Sequence, residues 1–185
     1  SLNLDYGRQI VITERESRVY DRLCSRLSKI HGEDPIGSAP SWDHCLIVEV
    51  DKPWTADIIS SKHFPAGISD ALEESENNDI IIKLQAIERD PEYSVDGHYR
   101  VMFYSRPAKQ FAMYDKDEFV APKNQIGALT KALLESPNDL RDFEQFRVEP
   151  GNVRDIFVCT HGTHDVCCAT FGGSRSFVDR DRCGD

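Results

Sequence analysis

Short β-rich runs alternate with helix-spaced apolar residues through the middle of this chain, and that alternation confines it to the α/β fold class. Cys45-Leu-Ile-Val-Glu-Val50 is a compact β-rich run, closed by Asp51-Lys-Pro53-Trp54. Residues 68–75 fit a short helix. Asp79 to Glu88 reads as a second strand, and its Ile80-Ile81-Ile82 core predicts burial on both faces. Residues 98–105 and 110–120 read as two further strands, with Arg106-Pro107 in the turn between them. Ile126, Leu129, Leu133 and Leu134 then mark a helix that stops before Pro137, and a shorter helix is expected from Asn138 to Phe146. Upstream, Thr13-Glu-Arg-Glu16 has the form of a capping box. Val19, Leu23, Leu27 and Ile30 follow at helical spacing, and Gly32 is placed to end that helix.

The chain has 185 residues and a net charge of −10. An acidic surface argues against nucleic-acid binding, which needs clustered Lys and Arg, and suits a protein steered toward a basic partner. No apolar run approaches the length of a membrane helix, so no membrane partner is expected. The N-terminal stretch shows no basic region followed by an apolar one, so no secretion signal is visible. Six cysteines are too few for a disulfide scaffold of this size, which makes free thiols or metal ligands the expectation and a reducing cytoplasm the expected compartment.

The chemistry is concentrated in Cys159-Thr-His161-Gly-Thr-His164-Asp165-Val-Cys167-Cys168. Thiolate and imidazole bind iron–sulfur clusters, zinc and copper. Eight residues separate Cys159 from Cys168, enough for the loop to fold back and present both sulfurs to one metal. Neighbouring side chains diverge, so only one of Cys167 and Cys168 is expected to ligate. His161 and His164 are candidate ligands or hydrogen-bond donors, and Asp165 is placed to orient a histidine. On residue types alone four readings stay open: an iron–sulfur cluster, a zinc site, a metal-free thiol-redox site, and unliganded buried thiols. The cluster follows a run, Asp155-Ile-Phe-Val158, that reads as one more short strand. Open α/β sheets place their chemistry where loops leave the carboxyl edge.

Val158-Cys159-Thr-His161-Gly-Thr-His164-Asp165-Val-Cys167-Cys168-Ala-Thr-Phe-Gly172 resembles the signature of the sucrase/ferredoxin-like family. So do Cys24-Ser25, Gly32-Glu-Asp-Pro35-Ile36-Gly37-Ser38-Ala39, and the 45–50 run followed by Pro53-Trp54, in that order. The resemblance implies a thioredoxin-like α/β fold, a mixed sheet flanked by helices. It also implies electron transfer through a [2Fe-2S] cluster, with Cys159 and Cys168 as cofactor-binding metal ligands; His161, His164 and Cys167 remain further metal-ligand candidates on residue type. A redox partner protein follows from such a role. The alternatives are a cluster-free interaction or scaffold protein on the same fold, and a zinc or thiol-redox module.

Relatives complete the cluster with two histidines from a later H-x-x-x-H segment, whereas no histidine follows His164 here, and residues 173–185 depart from the family pattern. The expected organisation is therefore an N-terminal thioredoxin-related domain over 1–150, with a boundary near Glu149-Pro150-Gly151-Asn152. The incomplete start of a ferredoxin domain follows over 151–185. No nucleophile-elbow pattern or specified carboxylate pair supports hydrolysis. His31, His44, His63 and His98 are scattered and expected at the surface or at caps.

Overall fold

A computed structural model describes residues 24–34, 41–108, 113–149, 155–157 and 160–163. Three α-helices and four strands are described: α1 (Cys24–Ile30), β1 (His44–Glu49), α2 (Ile68–Glu76), β2 (Ile82–Ile87), β3 (His98–Ser105), β4 (Asp115–Pro122) and α3 (Ile126–Glu135). Short 3-10 turns precede α2 and α3, and a longer 3-10 segment, Pro137–Phe146, follows α3.

The strands form one mixed sheet in the order β2-β1-β3-β4. β1 and β2 are parallel and joined by the α2 crossover, whereas β3 runs antiparallel to both β1 and β4. This four-stranded mixed sheet flanked by helices is the thioredoxin-like α/β arrangement that the motif resemblance implied.

Alternation along the strands divides the side chains between two faces. Leu46, Val48, Tyr99, Val101, Phe103, Phe119 and Ala121 share one buried cluster with Ile68 of α2 and Ile126, Leu129 and Leu133 of α3. The opposite face carries a smaller cluster of Cys45, Ile47 and Met102, against which Trp42, Ile87 and Tyr104 pack. The helices approach each other through glycines. A Cβ on Gly127 would lie 2.3 Å from the carbonyl oxygen of Ala66, so only glycine fits there.

The expected strand over 79–88 is shorter, and its predicted two-sided burial is not found. β2 lies at the edge of the described sheet, with Ile82, Leu84 and Ala86 turned toward the core and Lys83 and Gln85 exposed. Ile81 is 58% exposed. The strand buried on both faces is β1, which sits between β2 and β3. β4 begins at Asp115 rather than 110, with residues 109–112 outside the described set. The helix expected over 138–146 is the 3-10 segment, and the strand expected over 155–158 is not formed at Asp155, Ile156 or Phe157. Gly32 does end α1: at φ 65° it lets the Glu33 N–H reach back to the Ser28 carbonyl at 2.9 Å. The capping box at Thr13 lies outside the described residues.

Candidate functional site

The site is built on the loop that leaves the carboxyl end of β1. Val50 is fully buried, and its carbonyl accepts the indole N–H of Trp54 at 3.0 Å, which folds the Lys52-Pro53 turn back on the strand. The Lys52-Pro53 bond is cis. The Thr55 N–H donates to the hydroxyl of Ser61 at 3.0 Å, and the Thr55 hydroxyl donates to the Asp57 carbonyl. Asp57 in turn caps the short 3-10 helix Ile58–Ser60. Local hydrogen bonds thereby hold the Trp54–Thr55 segment.

Part of the cysteine motif docks there. His161 Nε2 lies 2.8 Å from the Thr55 carbonyl oxygen. A carbonyl only accepts, so Nε2 carries the hydrogen. The imidazole meets the Trp54 indole edge-on, with ring centroids 5.4 Å apart. The Thr163 hydroxyl donates to the Trp54 carbonyl at 3.3 Å. Between them Gly162 closes a tight turn, its N–H 2.9 Å from the Thr160 carbonyl.

A second attachment precedes the motif. The Asp155 carboxylate accepts from the Tyr104 hydroxyl and from the Lys116 ammonium, each at 2.6 Å. Lys116 also pairs with Glu118 at 2.7 Å, and Glu118 pairs with Arg100. This chain of charges crosses β3 and β4 on the face opposite α2 and α3. Burial, reinforced by the hydrogen bond to Asp155, pushes the Tyr104 hydroxyl far above its ordinary range. Burial alone would lower the Lys116 ammonium, but its bonds to Asp155 and Glu118 outweigh that and hold it above the usual lysine value.

Both groups bind their proton more tightly in the folded chain. The stability they add is complete below their ordinary values of 10.0 and 10.5, and it is lost as pH climbs past them. Denaturant midpoints measured from neutral to strongly alkaline pH are expected to fall in that upper window. Tyr104→Phe should flatten the decline, and an unchanged slope in that variant would remove Tyr104 from the account.

Of the expected ligands, His161 lies within the described residues, while Cys159, His164, Cys167 and Cys168 lie outside them. Among the described residues no group of three His, Cys, Asp or Glu side chains is placed to hold a metal ion. Cys45 is a buried free thiol in the smaller core cluster, and burial raises its pKa. His44 is half-buried rather than at the surface, stacked on Phe103 at 4.9 Å, and burial lowers its pKa against the opposing effect of Asp43. Sequence reading quoted Trp54 without giving it a role and missed Thr55 and Asp155. The available signals were an aromatic residue in a proline turn beyond a buried strand, and a lone acid beginning an apolar run.

The mixed sheet flanked by helices gives an α/β protein of thioredoxin-like arrangement, and the His161–Thr163 turn docks on the loop that follows β1. The chain belongs to the sucrase/ferredoxin-like family, whose model matches residues 35–175. No curated protein and no solved structure matches it significantly. No helix among the described residues is long and apolar enough to cross a membrane.

Proposed function

We propose that this chain is a one-electron carrier whose cysteine loop holds a [2Fe-2S] cluster, with Cys159 and Cys168 as its sulfur ligands. The observation that carries the reading is the docking of His161 and Thr163 on Thr55 and Trp54, in a chain of this family. It fixes one turn of the loop between the two cysteines against the sheet edge where α/β proteins place their chemistry. The donor types fit: two thiolates suffice for one iron, and imidazole of the same motif, His161 or His164, is a candidate ligand for the second. When bound, such a cluster accepts and returns a single electron. The chain's own residues supply the thiolates and the anchored turn that lies between them in the sequence.

The partner in this reading is a redox protein with a basic face, because a net charge of −10 favours encounter with positive potential. Cytoplasmic residence belongs to the same proposal, since reduced thiols are what the ligand set requires. So does the division near residue 150 into a thioredoxin-related part and the start of a ferredoxin part.

Serine substitution tests the ligand assignment. After anaerobic reconstitution with iron and sulfide, Cys159→Ser and Cys168→Ser are each expected to lose most of the visible absorption, while Cys167→Ser retains most of it. Equal bleaching by all three, or by none, contradicts the assignment.

A further inference from the structure

The contacts of His161 and Thr163 go beyond ligand choice. We infer that Trp54 and Thr55 form a docking shelf for the loop between the two cysteines, and that His161 is a positioning residue which latches the loop through Nε2. The inference rests on the reading of Cys159 and Cys168 as the sulfur ligands.

Three features support the latch. The first is that the contacts are concerted. One turn of the motif places an imidazole on one carbonyl of the shelf and a hydroxyl on the preceding carbonyl, with the indole edge against the imidazole. The second is that the shelf has supports of its own. The Trp54 indole is tied to Val50, and the Thr55 N–H is tied to Ser61, which is 6% exposed. Neither tie involves the motif.

The third feature is two-sided anchoring. Asp155 is bound to Tyr104, whose residue pairs with Cys45 near the start of β1. His161 is bound beyond the end of β1. Asp155 and His161 are six residues apart in the sequence, and each is bound to a different part of the fold. In the sequence Cys159 lies between these two anchors, and Cys168 follows the latched turn. An anchor on each side of Cys159 in the sequence lowers the entropy that its thiolate must lose on binding a metal.

The latch and direct ligation by His161 predict different variants. Glutamine carries an amide N–H able to donate to the Thr55 carbonyl and no ring nitrogen, whereas alanine has neither. Serine preserves the hydroxyl of Thr163, and valine removes it. The metal-free full chain would be titrated with Co(II) alone, and the thiolate-to-cobalt charge-transfer absorption would report sulfur ligation. His161→Ala and Thr163→Val are each expected to weaken binding, His161→Ala by about 10–100-fold, the usual effect of losing a residue that orients a ligand. His161→Gln and Thr163→Ser are expected to recover most of that loss.

Alkylation of Cys159 by iodoacetamide in the metal-free chain, read on the peptide by mass spectrometry, is the companion measurement and needs no metal. It should accelerate several-fold in His161→Ala and return toward the parent rate in His161→Gln. If glutamine is as impaired as alanine in cobalt binding, His161 is a ligand and the positioning role is wrong. If alanine matches the parent in both measurements, the shelf holds nothing. If the parent forms no iron–sulfur cluster while the alkylation pattern holds, the electron-carrier reading fails and the latch stands.

Discussion

Truncating Phe119 to alanine is expected to remove about 3–5 kcal/mol of folding stability, the usual cost of emptying a phenylalanine site in a core. Phe119 is fully buried on β4, in the cluster shared with α2 and α3. Its ring also carries the Arg147 guanidinium, 4.6 Å from the centroid, and the two residues form an isolated antiparallel bridge. The adjacent Val148 N–H donates to the Glu118 carbonyl at 2.8 Å. Phe119 therefore fills the core and also holds the segment that leads from the 3-10 turn toward Asp155. A domain of this size has about 5–15 kcal/mol to lose, so the variant should unfold at a much lower denaturant concentration. Phe119→Leu leaves a smaller void and should lose much less. Chemical denaturation of both variants checks this, and an alanine variant within error of the parent would mean that the site collapses without cost.

Removing the Glu49 carboxylate is the second large effect, about 3 kcal/mol for Glu49→Ala, since hydrogen bonds to a charged group contribute about 1.5–3 kcal/mol each. Glu49 is 3% exposed at the end of β1. Backbone pairing between β1 and β3 runs from His44↔Ser105 to Val48↔Val101. One position further along β3, the Arg100 N–H donates to the Glu49 carboxylate at 2.9 Å, so a side chain takes over where the ladder stops. The other carboxylate oxygen accepts the Ser94 hydroxyl at 2.5 Å. Alanine leaves both donors without this acceptor in a nearly closed site, whereas Glu49→Gln keeps an acceptor oxygen for one of them and should fall between. A Glu49→Gln variant level with the parent would show that the carboxylate matters only for its bulk.

The parts of the fold that could be read in advance are those whose residues declare their own environment. The run Cys45–Val50 lies within one residue of β1 because a dense apolar stretch bounded by an Asp-Lys-Pro turn has few other uses. The α3 pattern, Ile126, Leu129 and Leu133, closes before Pro137 as helix chemistry demands. Ile80-Ile81-Ile82 misled because local hydrophobicity does not reveal how many neighbours a strand will have. At the edge of the described sheet, one of those three isoleucines is largely in solvent. Asp155-Ile-Phe read as the start of a strand, yet Asp155 is held by side chains 51 and 39 residues away, and Ile156 is 72% exposed. Such long-range polar contacts leave no periodicity to detect. The cysteine motif was legible as chemistry from ligand density alone. Its support was not, because the acceptors on the shelf are backbone carbonyls, which every residue has.

The account turns on whether the two thiolates of the loop share one inorganic centre, and metal analysis of the anaerobically reconstituted full chain tests that most directly. A brown protein with visible absorption, iron and acid-labile sulfide in equal amounts, and one two-iron cluster per chain is the result the account predicts. A colourless chain that retains neither iron nor sulfide, or that holds a single zinc instead, would contradict it.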